Sequence, residues 1–164
     1  PILILLPSLA MTVGVVVYAY TQNLGWTAVQ FLIAAIIAFD LTGGVITNAT
    51  GTAKRWYHRP GQGVKEHLGF TAVHFIHLLM VAWLFRGGDW LYLAVTYGYL
   101  LVSAVFIARV NWGLQRPLAM VCWMGGLVLS LYAFTPTPGL EWLLPFFYAK
   151  LLVSHLVKEA PFAV

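Results

Sequence analysis

The run from Trp26 to Thr47, WTAVQFLIAAIIAFDLTGGVIT, holds a single ionisable side chain, Asp40. An α-helix needs about 20 predominantly apolar residues to cross the hydrocarbon of a bilayer, and this run has that length. It has no charged face of the kind a surface helix of a soluble domain keeps in water. The pattern recurs on both sides of it. Residues 2–20, 68–85, 90–110, 117–134 and 142–158 are also apolar runs of spanning length, so the sequence predicts six transmembrane helices in one domain covering residues 1–164. Residues 1–10 carry no charged side chain, unlike the basic start of a signal segment, so the first run is read as a helix.

Composition agrees. Of the 164 residues 61% are hydrophobic and only 9% charged, with a mean hydropathy of +0.84. Soluble domains carry about 25% charged residues, so this chain lacks the polar surface to cover a globule in water. A disordered chain and a nucleic-acid module are excluded on the same ground, despite an isoelectric point near 9.4. The lone cysteine, Cys122, sits in an apolar run and gives no disulfide framework.

Turn chemistry punctuates the runs at Thr21–Gly25, Arg86–Asp89 and Thr135–Gly139. Trp26, Trp90 and Trp142 each open a span on one face, as an interfacial aromatic belt would. The glycine pairs Gly43-Gly44 and Gly125-Gly126 allow close helix approach, although their placement makes no convincing inverted repeat. With six spans, Lys54, Arg55, Arg59, Lys65, Arg109, Arg116 and Lys158 share one side, and Arg86 stands on the other. That bias predicts both termini in the cytoplasm, with the basic loop 48–66 beside them, and an unglycosylated sequon at Asn48-Ala49-Thr50. A bacterial inner membrane is the expected location, with membrane lipids as neighbours and a homo-oligomer or a larger membrane complex as the expected assembly.

Ionisable side chains inside a span cost about 2.5–3.5 kcal/mol each at mid-bilayer, so each marks a candidate site. Asp40, His74, His77, Lys150 and His155 are such residues, and Glu159 follows just beyond. At ~1.5 Å of rise per residue, Asp40, His74 and His155 fall roughly 5–10 Å inside the basic side. His74 and His77 stand at i,i+3 and so share a helix face. Neutral imidazoles with a carboxylate suit zinc or iron, so Asp40, His74, His77 and His155 form a candidate divalent-metal set, with Glu159 as acid/base. A competing cofactor reading is a bis-histidine haem, with His74 or His77 opposite His155. A third arrangement pairs Asp40 with Lys150 as an ion pair or proton path.

In the basic loop, Lys54, Arg55 and Arg59 lie among Trp56 and Tyr57, a composition that attracts anionic headgroups and also serves simple topology control. The first functional expectation is therefore a metal-binding membrane enzyme acting on a lipid or lipid-like substrate. The alternatives are a small proton- or cation-coupled transporter and an accessory subunit whose polar residues hold helices together.

Overall fold

The computed structural model describes residues 2–159, all of them helical or in connecting turns, with no strand among the described residues. The helices are α1 (Ile2–Thr21), α2 (Ala28–Asn48), α3 (Gly51–Tyr57), α4 (Val64–Val73), α5 (Phe75–Leu84), α6 (Trp90–Arg109), α7 (Trp112–Tyr132) and α8 (Leu143–Tyr148). A π-helical segment, Ala149–His155, continues α8. Five stretches are long and apolar enough to cross a membrane: α1, α2, the α4–α5 unit (Val64–Leu84), α6 and α7.

Local chemistry sets several ends. Thr27 and Gln30 form a reciprocal capping box that starts α2. Asp89 starts α6 by accepting the Tyr92 N–H at 2.9 Å, while its other oxygen holds Arg86 at 2.8 Å. The α4–α5 unit breaks at His74, where the i→i−4 bonding gives way to a His74 N–H bond to Thr71 O and a His77 N–H bond to His74 O.

Three boundaries differ from the sequence reading. The third span begins at Val64 rather than residue 68, because Glu66 folds back to accept the Gly63 N–H and the helix starts among polar residues. The span predicted over 117–134 begins at Trp112 and carries Pro117 inside it. The sixth run is the largest correction. Its helical part, Leu143–His155, is shorter than a spanning helix, and at ~1.5 Å per residue it covers only about 20 Å.

That short segment is the axis of the bundle. Leu143, Phe147, Tyr148, Leu151, Leu152 and His155 are almost fully buried, whereas α1 leaves Leu3 81% exposed. Apolar side chains turned outward on α1, α2 and α7 suit lipid as the surrounding medium, and the segment without a lipid face sits inside. The glycines make this packing fit. A Cβ on Gly126 would run into the Tyr148 ring, one on Gly44 into the Lys150 stem, and one on Gly43 would stand 3.0 Å from Ser8 Oγ. Tyr148 then reaches across to α6 and donates its hydroxyl to Thr96 O at 3.0 Å.

Candidate functional site

Two polar clusters lie in this bundle. The first joins α2, α5 and the π-helical segment. Asp40 Oδ2 accepts from Lys150 Nζ at 2.6 Å and from His77 Nε2 at 2.8 Å. The His77 ring stacks on His74, with centroids 5.3 Å apart and planes within 9°, and His74 Nδ1 turns back to Phe70 O at 2.7 Å. Because a carbonyl only accepts, His74 carries its proton on Nδ1.

Burial in the cluster is uneven. The Lys150 side chain is 4% exposed and the Asp40 side chain 44%. Asp40 is half open because it lines a cavity of about 740 Å³ with Ile36, Gly44, Asn48, His74 and Lys150. Both partners use Oδ2, so Oδ1 has no hydrogen bond among the described residues. Asn48 Nδ2 is buried without a partner at the same cavity's wall. A lysine ammonium held against a carboxylate at the wall of a largely apolar cavity is equipped to exchange a proton or to meet a polar group on an apolar molecule.

The second cluster lies at the basic end. His155 Nε2 and His67 Nδ1 are 3.3 Å apart, and His58 Nε2 lies 3.2 Å from His155 O. Tyr57 meets the His155 ring edge-on, and Phe70 stacks on it at 4.0 Å. Lys54 Nζ donates to Val157 O, so α3 is tied to the end of the last segment through Lys54 and His58. Burial pushes the Lys54 ammonium down to about 8, and burial with the neighbouring His67 pushes His58 down to about 4. His58 is therefore neutral at pH 7.

Set against the sequence expectations, Asp40, His74 and His77 come together and His155 does not join them. His155 belongs to the second cluster, on the far side of Phe70. Among the described residues no three His, Cys, Asp or Glu side chains converge as a metal site. Glu159 lies beyond the π-helical segment and binds Arg116 at 3.0 Å, away from an acid/base position beside His155. Glu159 shares no helix face with His155, because the helical segment ends at His155. Lys150 does pair with Asp40. Of the three loop cations, Arg55 and Arg59 are exposed, and Arg59 lies over the Trp56 ring at 4.2 Å. Lys54 is only 6% exposed and committed to a carbonyl, which removes it from a headgroup-binding surface.

His58 and His67 were not singled out from the sequence. A signal existed: His67, Thr71, His74, Leu78 and Val81 follow a 4-3-4-3 spacing, and all five are buried. Comparison of the chain with protein-family models, with curated proteins and with solved structures gives no match.

Proposed function

We propose that the protein is a small membrane carrier that exchanges a proton at Asp40 and couples it to a molecule held in the adjoining cavity. The observation that carries this reading is the Lys150–Asp40–His77 cluster at the wall of the 740 Å³ cavity. A permanently paired, fully enclosed ion pair would serve packing alone. Here the carboxylate is half open, and Oδ1 is available to a proton or to a donor group on a bound molecule. The cavity volume suits a small amphiphile, since ligand sites of ~300–1,000 Å³ are typical. The Leu143–His155 segment is read as a sixth crossing through the bundle's middle, with both termini in the cytoplasm of a bacterial plasma membrane. Arg55 and Trp56 on α3, with Arg59 just beyond its end, then lie on the anionic leaflet and anchor that end.

The test is a pH jump on protein in a solid-supported membrane, which records charge displaced by proton binding without knowledge of the substrate. Wild-type protein should give a transient current, and Asp40→Asn should lose it while keeping its helical content. Equal currents in the two proteins, or none in either, would reject the carrier and leave the ion pair as a device for holding helices together.

A further inference from the structure

A second, smaller cavity of about 150 Å³ opens at the basic end, apart from the Asp40 cavity, and its wall includes His58, His67, Gln115 and Lys158. That volume is room for several waters, or for a small tetrahedral oxyanion with water beside it. We propose that this pocket binds a phosphate group carrying a P–OH, either free or as a phosphomonoester, through three donors and one acceptor.

The hydrogen-bond partners behind the wall fix each role. Gln115 is 9% exposed, and its Oε1 accepts the Lys158 backbone N–H at 2.9 Å. Its NH₂ is thereby turned away from that bond and has no partner among the described residues. Lys158 has no carboxylate partner there either. The two nearby acids are occupied, Glu66 with the Gly63 N–H at 2.7 Å and Glu159 with Arg116 at 3.0 Å.

The histidines are set by their tautomers. His155 O can only accept, so His58 carries its proton on Nε2 and presents Nδ1 as a bare acceptor. His155 Nδ1 is buried with no partner. The tautomer that puts the His155 proton on Nε2 leaves a lone pair there instead of a stranded N–H. That proton then goes to His67 Nδ1 at 3.3 Å, so His67 must hold its own proton on Nε2. The pocket therefore offers the Lys158 ammonium, the Gln115 NH₂ and the His67 Nε2–H as donors, and His58 Nδ1 as the acceptor. A hydrogen phosphate has oxygens for the three donors and an O–H for the acceptor. Sulfate and phosphodiesters have no such O–H and would set an oxygen against a lone pair. Lys54, on the buried face of α3, adds positive potential without lining the pocket.

Titration calorimetry with inorganic phosphate and with sulfate, on full-length protein in phosphatidylcholine nanodiscs, tests the assignment. Saturable phosphate binding is expected, at least tenfold tighter than sulfate. Lys158→Gln and Gln115→Ala should each weaken phosphate at least tenfold, and His58→Asn, which adds a donor, should narrow the gap to sulfate. Lys158 is exposed, so its variant should fold, and Lys65→Gln controls for loss of one charge outside the pocket wall. Repeating the titration in phosphatidate-containing nanodiscs assigns the source. Loss of free-phosphate binding there points to the lipid headgroup, and unchanged binding points to a soluble phosphate compound. Absence of saturable phosphate binding in phosphatidylcholine, equal affinity for sulfate, or wild-type affinity in both Lys158→Gln and Gln115→Ala would overturn the proposal.

Discussion

The Asp40–Lys150 pair makes an asymmetric prediction. Removing one partner of a fully buried ion pair costs about 3–5 kcal/mol, and an exposed pair is worth about 0–1 kcal/mol. Lys150 lies at the buried limit and Asp40 lies between the two, with its side chain 44% exposed and a second partner in His77. Asp40→Asn therefore strands a buried ammonium and should cost about 3 kcal/mol. Lys150→Met leaves a carboxylate that still reaches the cavity and His77, and should cost only about 1–2 kcal/mol. The double variant removes both charges, so the single effects should fail to add, with a coupling of about 2 kcal/mol. The assay is reversible unfolding of the four proteins in mixed micelles, titrated with a denaturing detergent and followed by tryptophan fluorescence. Lys150→Met costing more than Asp40→Asn, or additive effects within about 0.5 kcal/mol, would refute the reasoning.

Gly44→Ala places a methyl against the Lys150 stem, and Gly126→Ala places one against the Tyr148 ring. Each should destabilise by about 1–3 kcal/mol in the same assay, and Gly44→Ala should also abolish the coupling between Asp40 and Lys150. Lys54 binds its proton less tightly when folded (about 8 against an ordinary 10.5), so the unfolded chain holds more protons between those values. Stability should then rise from pH 8 to 10.5, by on the order of 2 kcal/mol, and Lys54→Met should flatten that rise in thermal melts. His58, at about 4 against 6.5, acts with the same sign in acid: stability should fall as pH drops from 6.5 to 4, by on the order of 1–2 kcal/mol, less so in His58→Gln. Replacing Arg55 and Arg59 by Gln should weaken binding of detergent-solubilised protein to anionic over zwitterionic vesicles by about thirtyfold, at about 1 kcal/mol per cation, with most of the difference lost in high salt.

Much of the bundle is legible in hydropathy because five of its helical stretches are long and apolar enough to cross a membrane, and lipid selects for long uninterrupted apolar runs. The last run misled by length. Its apolar residues are core residues, and a window of composition does not separate a side chain buried in protein from one bathed in lipid. The His74–His77 face was readable from i,i+3 spacing, and the Asp40–Lys150 pair from the cost of two opposite charges in apolar runs. Depth alone groups His155 with Asp40 and His74, and depth does not show that Phe70 packs between the His74 and His155 rings. Lys54 looked like a surface cation because its neighbours Arg55 and Arg59 are surface cations. Its carbonyl partner on Val157 is 103 positions away in the chain, a contact no local pattern announces.

The buried axis also bears on how the chain is assembled during synthesis. Leu143–His155 follows the five long apolar stretches in the chain, carrying Lys150 and His155 on a segment too short to span the hydrocarbon alone. Lipid is a poor first solvent for it, since Lys150 by itself would cost about 2.5–3.5 kcal/mol to partition. A slot prepared by earlier helices is a better one. The carboxylate on α2, the glycines at 44 and 126 and the Thr96 carbonyl stand ready as its acceptors and clearances. In the folded protein this segment is thus enclosed by other helices, and the long apolar stretches before it supply the slot it fills.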